Sequence, residues 1–319
     1  GRIIKDKTFF FGSLQRWTQR QLGSGYTIRG VPTDQGKQML QQLAGSRPQV
    51  AALLKFMPAA QAPIGTNARL TVGGQTVQIP LGSLTSSTAG FGNNWQWSGR
   101  IDHQLTQKHS LGGRFLFNDN VSGGSGQVTP PGLTIQQPSR QQALSVWLTS
   151  MLSTRSLNEV RLSYQRFAST TAASDPASES IPSVEIPELG MTGFNSAVNR
   201  TAIGLALNLP QFRFNNVYQI QETFTHTQGA HSLKFGLDLR RSQIKSFFLP
   251  QIRGRLVYDT LQTLADDVAS VANINKPLPG GDVIAYCYWD DYYFFAQDTW
   301  RIGKSLTLNY GLRYETPGN

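Results

Sequence analysis

The sequence is poor in the residues on which most recognisable chemistry depends. It holds one cysteine, Cys287, among 319 residues, which excludes an internal disulfide and a multi-thiol zinc site. Charged residues make up only 15%, and histidines number four. Long apolar runs are missing as well. The longest, Val283 to Trp289, has seven residues, against about 20 for a membrane helix. With a mean hydropathy of −0.29, no bundle of membrane-spanning helices is encoded. The chain opens Gly1-Arg2-Ile3-Ile4 without an initiator Met or an apolar leader, and it ends directly after a strand-like run. Both ends read as cut, so a piece of a longer protein is expected. What is present instead is glycine (31 residues), aromatics (10%) and a net charge of +10. Aromatic content at that level, recurring in order, argues against a disordered chain.

The order is a period of two. Leu306, Leu308, Tyr310, Leu312 and Tyr314 alternate with Thr307, Asn309, Gly311 and Arg313. Successive strand side chains point to opposite faces, so one face is apolar and the other polar. Leu233, Phe235, Leu237 and Leu239 alternate in the same way, as do Val160, Leu162 and Tyr164. Two acids break the pattern: Glu222 and Asp298 share parity with Phe224 and Trp300. Both are expected near a membrane edge, where water or headgroups solvate them, because a lipid-facing acid at mid-depth is costly.

A hairpin recurs four times: a strand, a short polar turn, then Ser-Leu opening the next strand, at Ser110-Leu111, Ser156-Leu157, Ser232-Leu233 and Ser305-Leu306. The intervals are unequal, which excludes a solenoid. Nine strands are predicted, over 8–20, 94–105, 110–118, 141–152, 156–167, 215–226, 231–247, 286–301 and 305–315. Tight turns alternate with long segments rich in Gly, Pro, Ser and Gln (21–93, 119–140, 168–214 and 248–285), and a short helix is expected from Gln49 to Met57. Short turns at one rim and long loops at the other fit an all-β antiparallel transmembrane β-barrel. Lipid cannot satisfy an open sheet's backbone, so such a wall closes on itself. A water-soluble sandwich also alternates, but its strands are shorter and its loops are not sorted by length.

Several segments carry a family resemblance: Lys5-Asp-Lys-Thr-Phe-Phe-Phe-Gly-Ser13, Ser98-Gly-Arg-Ile-Asp-His103, Asn158-Glu-Val-Arg161, His231-Ser-Leu-Lys-Phe-Gly236, Tyr293-Phe-Phe-Ala-Gln-Asp-Thr-Trp-Arg301 and Leu306-Thr-Leu-Asn-Tyr-Gly-Leu-Arg-Tyr-Glu315. Together they resemble TonB-dependent outer-membrane receptors of the Oar-like group. The resemblance implies that residues 1–319 are the N-terminal part of a 22-stranded barrel, with plug, TonB box and N-terminal domain lying outside this sequence. It also implies uptake or export of a large or scarce solute through a plugged pore, with outer-membrane lipid, lipopolysaccharide, the plug and the TonB complex as partners. A passive porin, a structural outer-membrane protein, and a secreted β-rich adhesin or carbohydrate-binding module are the alternatives.

No catalytic grouping stands out, and neither an enzyme nor a cofactor is expected. His103, His109, His226 and His231 read as polar residues, three of them at tight turns; His226 and His231 could meet across one hairpin, but a metal would need further ligands. The pairs Asp266-Asp267 and Asp290-Asp291 are expected in loops as solvated acids, far short of the roughly 6–8 oxygens calcium takes. The glycine-rich stretches Gly73-Gly74, Ser122 to Gly126 and Gly280-Gly281 lack the Lys-Ser/Thr of a phosphate loop and read as turns. Ligand-binding candidates are Tyr286, Tyr288, Trp289 and Tyr292, expected at the mouth of a long loop, since aromatic rings bind at low entropic cost. An interfacial aromatic girdle is the plainer account of them. Basic residues are dispersed, so no nucleic-acid partner is expected.

Overall fold

A computed structural model of the chain describes residues 1–124, 133–193 and 200–318. The elements run β1 (Arg2–Ile4), β2 (Thr8–Pro32), α1 (Asp34–Ala44), α2 (Pro48–Phe56), β3 (Ala62–Val72), β4 (Gln75–Gln104), β5 (His109–Gly123), β6 (Ile135–Ser153) and β7 (Ser156–Ala173). They continue with β8 (Ser183–Glu185), β9 (Gln211–Gln228), β10 (His231–Phe247), β11 (Arg255–Val257), α3 (Leu261–Asp266), β12 (Val271–Asn273), β13 (Ile284–Arg301) and β14 (Thr307–Thr316). One antiparallel sheet takes the order β1-β2-β4-β5-β6-β7-β9-β10-β13-β14, with β3 hydrogen-bonded to β4 off that path. It is an open arc, with β1 and β14 at its two edges. All nine predicted strands are present.

Register assigns the faces. Trp97 pairs with Leu14 and Phe117, Leu162 with Val146 and Ile220, and Leu237 with Glu222 and Phe294. Among the described residues nothing covers these apolar rows: Leu14 is 70% exposed and Leu162 52%. Opposite them lie Arg100, Arg114, Arg161, Asp238 and Arg313, the polar face. A soluble core would bury the first set; a membrane wall leaves it to lipid. The turns at 5–7, 105–108, 154–155, 229–230 and 302–306 all fall at one rim, and the long segments leave from the other.

The long segments differ from their expected form. The first, read as loop over 21–93, is largely ordered: β2 and β4 stay paired as far as Pro32↔Leu81. Above the membrane neither face needs an apolar row, so alternation stops where pairing continues. Gly73 and Gly74, both with positive φ (61° and 81°), make the two-residue turn that closes the β3–β4 hairpin, a turn that wants glycine at both positions. The predicted helix is α2, with Pro48 in its first turn. Helix α1 escaped the sequence reading although Thr33 caps it, its side chain accepting from the Gly36 N–H at 3.2 Å.

The buried core lies in these segments rather than in the wall. Leu40, Leu53, Leu70 and Ile79 from the first long segment pack with Leu133 from the second, Ile186 and Leu189 from the third, and Leu261 and Leu264 from the fourth. All four therefore fold into one cap. The Asp266-Asp267 pair belongs to it: Asp266 ends α3 and pairs with Arg47 at 3.2 Å, and Asp267 accepts the Tyr258 hydroxyl at 2.8 Å. The Asp290-Asp291 pair does not lie in a loop but inside β13, on opposite faces, because strand pairing with β10 continues through it. Gly280 also turns with positive φ (79°), whereas the 122–126 stretch falls partly outside the described residues.

Candidate functional site

The polar face of the wall carries a repeated arrangement. On each of four strands an arginine pairs with an acid two residues away: Arg100 with Asp102 (2.8 Å), Arg161 with Glu159 (3.0 Å), Arg240 with Asp238 (3.7 Å), and Arg313 with Glu315. Period two puts such partners on one face of a single strand. Aromatic residues on intervening strands sit between the pairs. The Trp147 ring lies 5.2 Å from the Arg100 guanidinium and 5.7 Å from that of Arg161. Tyr293 is flanked by Arg240 at 5.9 Å and Arg313 at 5.6 Å. Each is a cation–π sandwich. Glycines make room for the rings: a Cβ at Gly112 would meet Trp147 at 2.3 Å, and one at Gly236 would meet Phe295 at 2.2 Å.

Towards the long-loop rim the same face turns from charged to amide. A cleft of about 390 Å³ is lined by Gln96, Asn118, Gln141, Gln165, Phe167 and Asn215. The Asn215 Oδ1 is buried and has no partner among the described residues. A second cleft, about 270 Å³, opens between Arg161, Gln221, Asp238, Tyr293 and Arg313. The inner face thus offers neutral hydrogen-bonding groups above and paired charges below. The parity of the strands already encodes these rows, but the sequence alone does not say which residues of different strands stand side by side.

Two arginines not singled out from the sequence, one fully and one partly buried, hold the third and fourth long segments of the cap over that rim. Arg200 is fully buried. Its guanidinium donates to the carbonyls of Ala202 (3.1 Å), Ile203 (3.0 Å) and Gly204, and to Ser183 Oγ at 2.7 Å. Burial pushes its pKa down to about 10, helped by repulsion from Arg253 and opposed by Glu185. Arg253 donates to Leu209, Ile181, Leu205 and Ala206 carbonyls at 2.7–3.0 Å, and burial likewise takes it to about 10 against the attraction of Glu179. Arg255 meets Glu185 at 2.9 Å. The fourth long segment is thereby clamped to the third. The first joins through Gln262, whose side chain accepts from Thr71 N–H at 2.7 Å and donates to Thr71 O at 3.1 Å.

The aromatic candidates are split by strand parity. Tyr286, Tyr288 and Tyr292 lie on the apolar outer face, 52%, 55% and 44% exposed, while Trp289 turns to the polar face opposite Ser242. They do not form one concave site; three of them are placed as girdle residues would be. No group of three or more potential metal ligands occurs among the described residues. His226 and His231 do not meet: His226 Nδ1 bonds Ser156 Oγ at 2.8 Å, and His231 Nδ1 bonds Asp298 Oδ2 at 2.6 Å. Each turns to the neighbour outside its own hairpin. Asp298 sits close to the rim, as its parity break predicted, but it is 5% exposed and protein groups rather than water meet its Oδ2, which also takes the Tyr310 hydroxyl at 2.8 Å, while Oδ1 has no partner among the described residues. Glu222 accepts from Asn158 Nδ2.

A family model described as "Outer membrane beta barrel domain" matches residues 1–318. No curated protein matches the chain. Among solved structures the chain is similar to the outer membrane transporter YddB from Escherichia coli, at 8% sequence identity and a TM-score of 0.46, over 98% of this chain and 34% of that one. The chain thus spans about a third of that transporter's length. It belongs to the outer membrane β-barrel domain family, and its place is the outer membrane.

Proposed function

We propose that this arc of an outer-membrane β-barrel is part of the wall and outer mouth of a TonB-dependent receptor of the Oar-like group. In this reading the protein carries a large or scarce solute across the outer membrane through a plugged lumen, and its role is non-catalytic. The observation that carries the reading is the cap: four long segments share one apolar core, and Arg253 ties the fourth of them to the third. A diffusion pore gains nothing from a folded structure built on its mouth, whereas a receptor needs a shaped surface there. The lumen face supports it further. Alternating ion pairs and cation–π sandwiches suit a wall that docks a polar plug and releases it on demand. The amide-lined cleft above them suits a neutral, hydrogen-bonding solute such as a sugar or a peptide backbone. Outer loops facing lipopolysaccharide, and a plug driven through a TonB complex, complete the proposed set of partners.

Conductance in planar bilayers tests this. A plugged receptor in its full-length form is electrically silent after insertion and conducts only once urea has loosened the plug. Steady conductance from the moment of insertion overturns the reading and favours a passive porin.

A further inference from the structure

All four histidines of the sequence occupy one kind of position. Each lies on the outer, apolar face, within the first rows above the tight-turn rim. Each has its Nδ1 bonded to a polar group of an adjacent strand: His103 to Thr8 Oγ1 (2.8 Å), His109 to Ser150 Oγ (2.9 Å), His226 to Ser156 Oγ (2.8 Å) and His231 to Asp298 Oδ2 (2.6 Å). The register steps the four along the rim. His103 stands in a row with Leu111 and Leu148, His109 one row nearer the turns with Ser150, His226 the next with Leu233, and His231 the next with Trp300. Tilted strands meet a flat membrane boundary in such a staircase, so the four rings share one depth.

The bonding leaves one ring nitrogen of each histidine uncommitted. Where Nδ1 accepts from a hydroxyl, as in His103, His109 and His226, Nε2 carries the proton and is a donor; His231 differs, because its Nδ1–H donates to the Asp298 carboxylate and its Nε2 is left as an acceptor. Two of the rings are also held flat by stacking, His231 on Trp300 (5.3 Å between centroids) and His226 on Phe224 (6.4 Å). The turns beneath them are basic: Lys5, Lys7, Lys108, Arg155 and Lys304 are exposed there against a single acid, Asp6. Donors at headgroup depth above a row of cations match the phosphate of an anionic lipid. Hydrocarbon has no use for either, and neutral zwitterions gain little from the cations.

We propose that the tight-turn rim is a collar for anionic phospholipid in the leaflet it faces, with the imidazoles of His103, His109 and His226 as its donor row and the turn cations as its charged row. The collar is independent of what the protein transports. To test it, the full-length protein in detergent is titrated separately with phosphatidylglycerol and phosphatidylcholine, and retained lipid is counted by native mass spectrometry. Two variants are compared with the parent: one with Lys108→Gln, Arg155→Gln and Lys304→Gln, and one with His103→Phe, His109→Phe and His226→Phe. The turn variant alters only exposed side chains, so it stays folded and carries the test if the histidine variant does not fold. The parent is expected to prefer phosphatidylglycerol, and the turn variant to lose between about tenfold and a hundredfold of that retention. The folded histidine variant is expected to lose part of it. Equal retention of the two lipids by the parent, or an unchanged preference in the turn variant, overturns the collar. An unchanged preference in a folded histidine variant removes the imidazoles from it. If the turn variant instead sheds a co-purifying soluble protein and keeps its lipid preference, the rim is a protein-docking edge and the lipid assignment fails.

Discussion

Replacing Arg200 by alanine asks whether the cap is a folded unit or a set of independent loops. The guanidinium serves four acceptors: three backbone carbonyls and the Ser183 hydroxyl. The Ile203 carbonyl keeps the Val184 N–H at 3.1 Å, so three acceptors lose their partner; at about 2 kcal/mol each the loss is about 6 kcal/mol. Against it stands relief of a buried charge. The folded-state pKa is lowered from 12.5 to about 10, a cost of about 3 kcal/mol at 1.36 kcal/mol per unit. That cost is present in full below pH 10 and fades as pH rises towards 12.5. The net expectation is a loss of about 2–5 kcal/mol at neutral pH, confined to the cap. Hydrogen exchange resolves it segment by segment. Amides of β8 and β11 should open roughly 30-fold to a few thousandfold more often, while β6, β7 and β10 at mid-membrane stay unchanged. Arg200→Lys should recover less than half, because a compact ammonium has three donors and no planar fork. If β8 and β11 exchange within about threefold of the parent in Arg200→Ala, the clamp is not what holds the cap.

Four shorter tests follow. Tyr258 is 2% exposed, and burial first, then the Asp267 carboxylate, raises its phenol to about 12; the stabilisation it gives the cap is complete below pH 10 and lost as pH climbs through 12. Tyr258→Phe should remove that alkaline step from a cap-unfolding titration and cost about 1.5–3 kcal/mol at neutral pH. Gly112→Val drives a side chain into the Trp147 ring; about 1–3 kcal/mol is expected from overpacking, with a shift of indole fluorescence as the Arg100–Trp147–Arg161 sandwich opens. Leu162→Arg places a charge on the lipid face and should cost about 2–4 kcal/mol in refolding into vesicles, while Ser163→Arg, one residue on and facing the lumen, should cost little; equal penalties would refute the face assignment. Gly74→Val forces a branched side chain to φ 81°, at about 1–3 kcal/mol, and should raise exchange in the β3–β4 hairpin alone.

The wall was legible because lipid imposes a rule on every residue in it. Alternation at Leu306–Tyr314 or Val160–Tyr164 leaves no other placement, and all nine predicted strands stand where expected, several of them longer. The cap was not legible, for the opposite reason. Its core joins Leu40, Leu133, Ile186 and Leu264, contacts across long sequence separations that no local period announces. Arg200 and Arg253 looked like dispersed surface charges, because nothing near them in sequence supplies the acid that a buried arginine ordinarily brings. Strand parity contained the split of Tyr286, Tyr288 and Tyr292 from Trp289, yet adjacency in sequence made them look like one cluster. The aspartates at 290 and 291 misled in the same way: acids usually mark a loop, but here β10 continues to pair with that strand and decides its form.

The shared core of the cap also bears on how the protein comes to be inserted. Leu40 and Leu264 can touch only after the hairpins between them have delivered their ends to the far side of the membrane. Until then each emerging segment waits outside with its apolar residues unmet. Once the last arrives and Arg253 finds the carbonyls of Ile181 and Leu205, no hairpin can retreat without dismantling the whole. The cap is thus a knot tied on the outer side, making a reversible threading of strands into a one-way assembly.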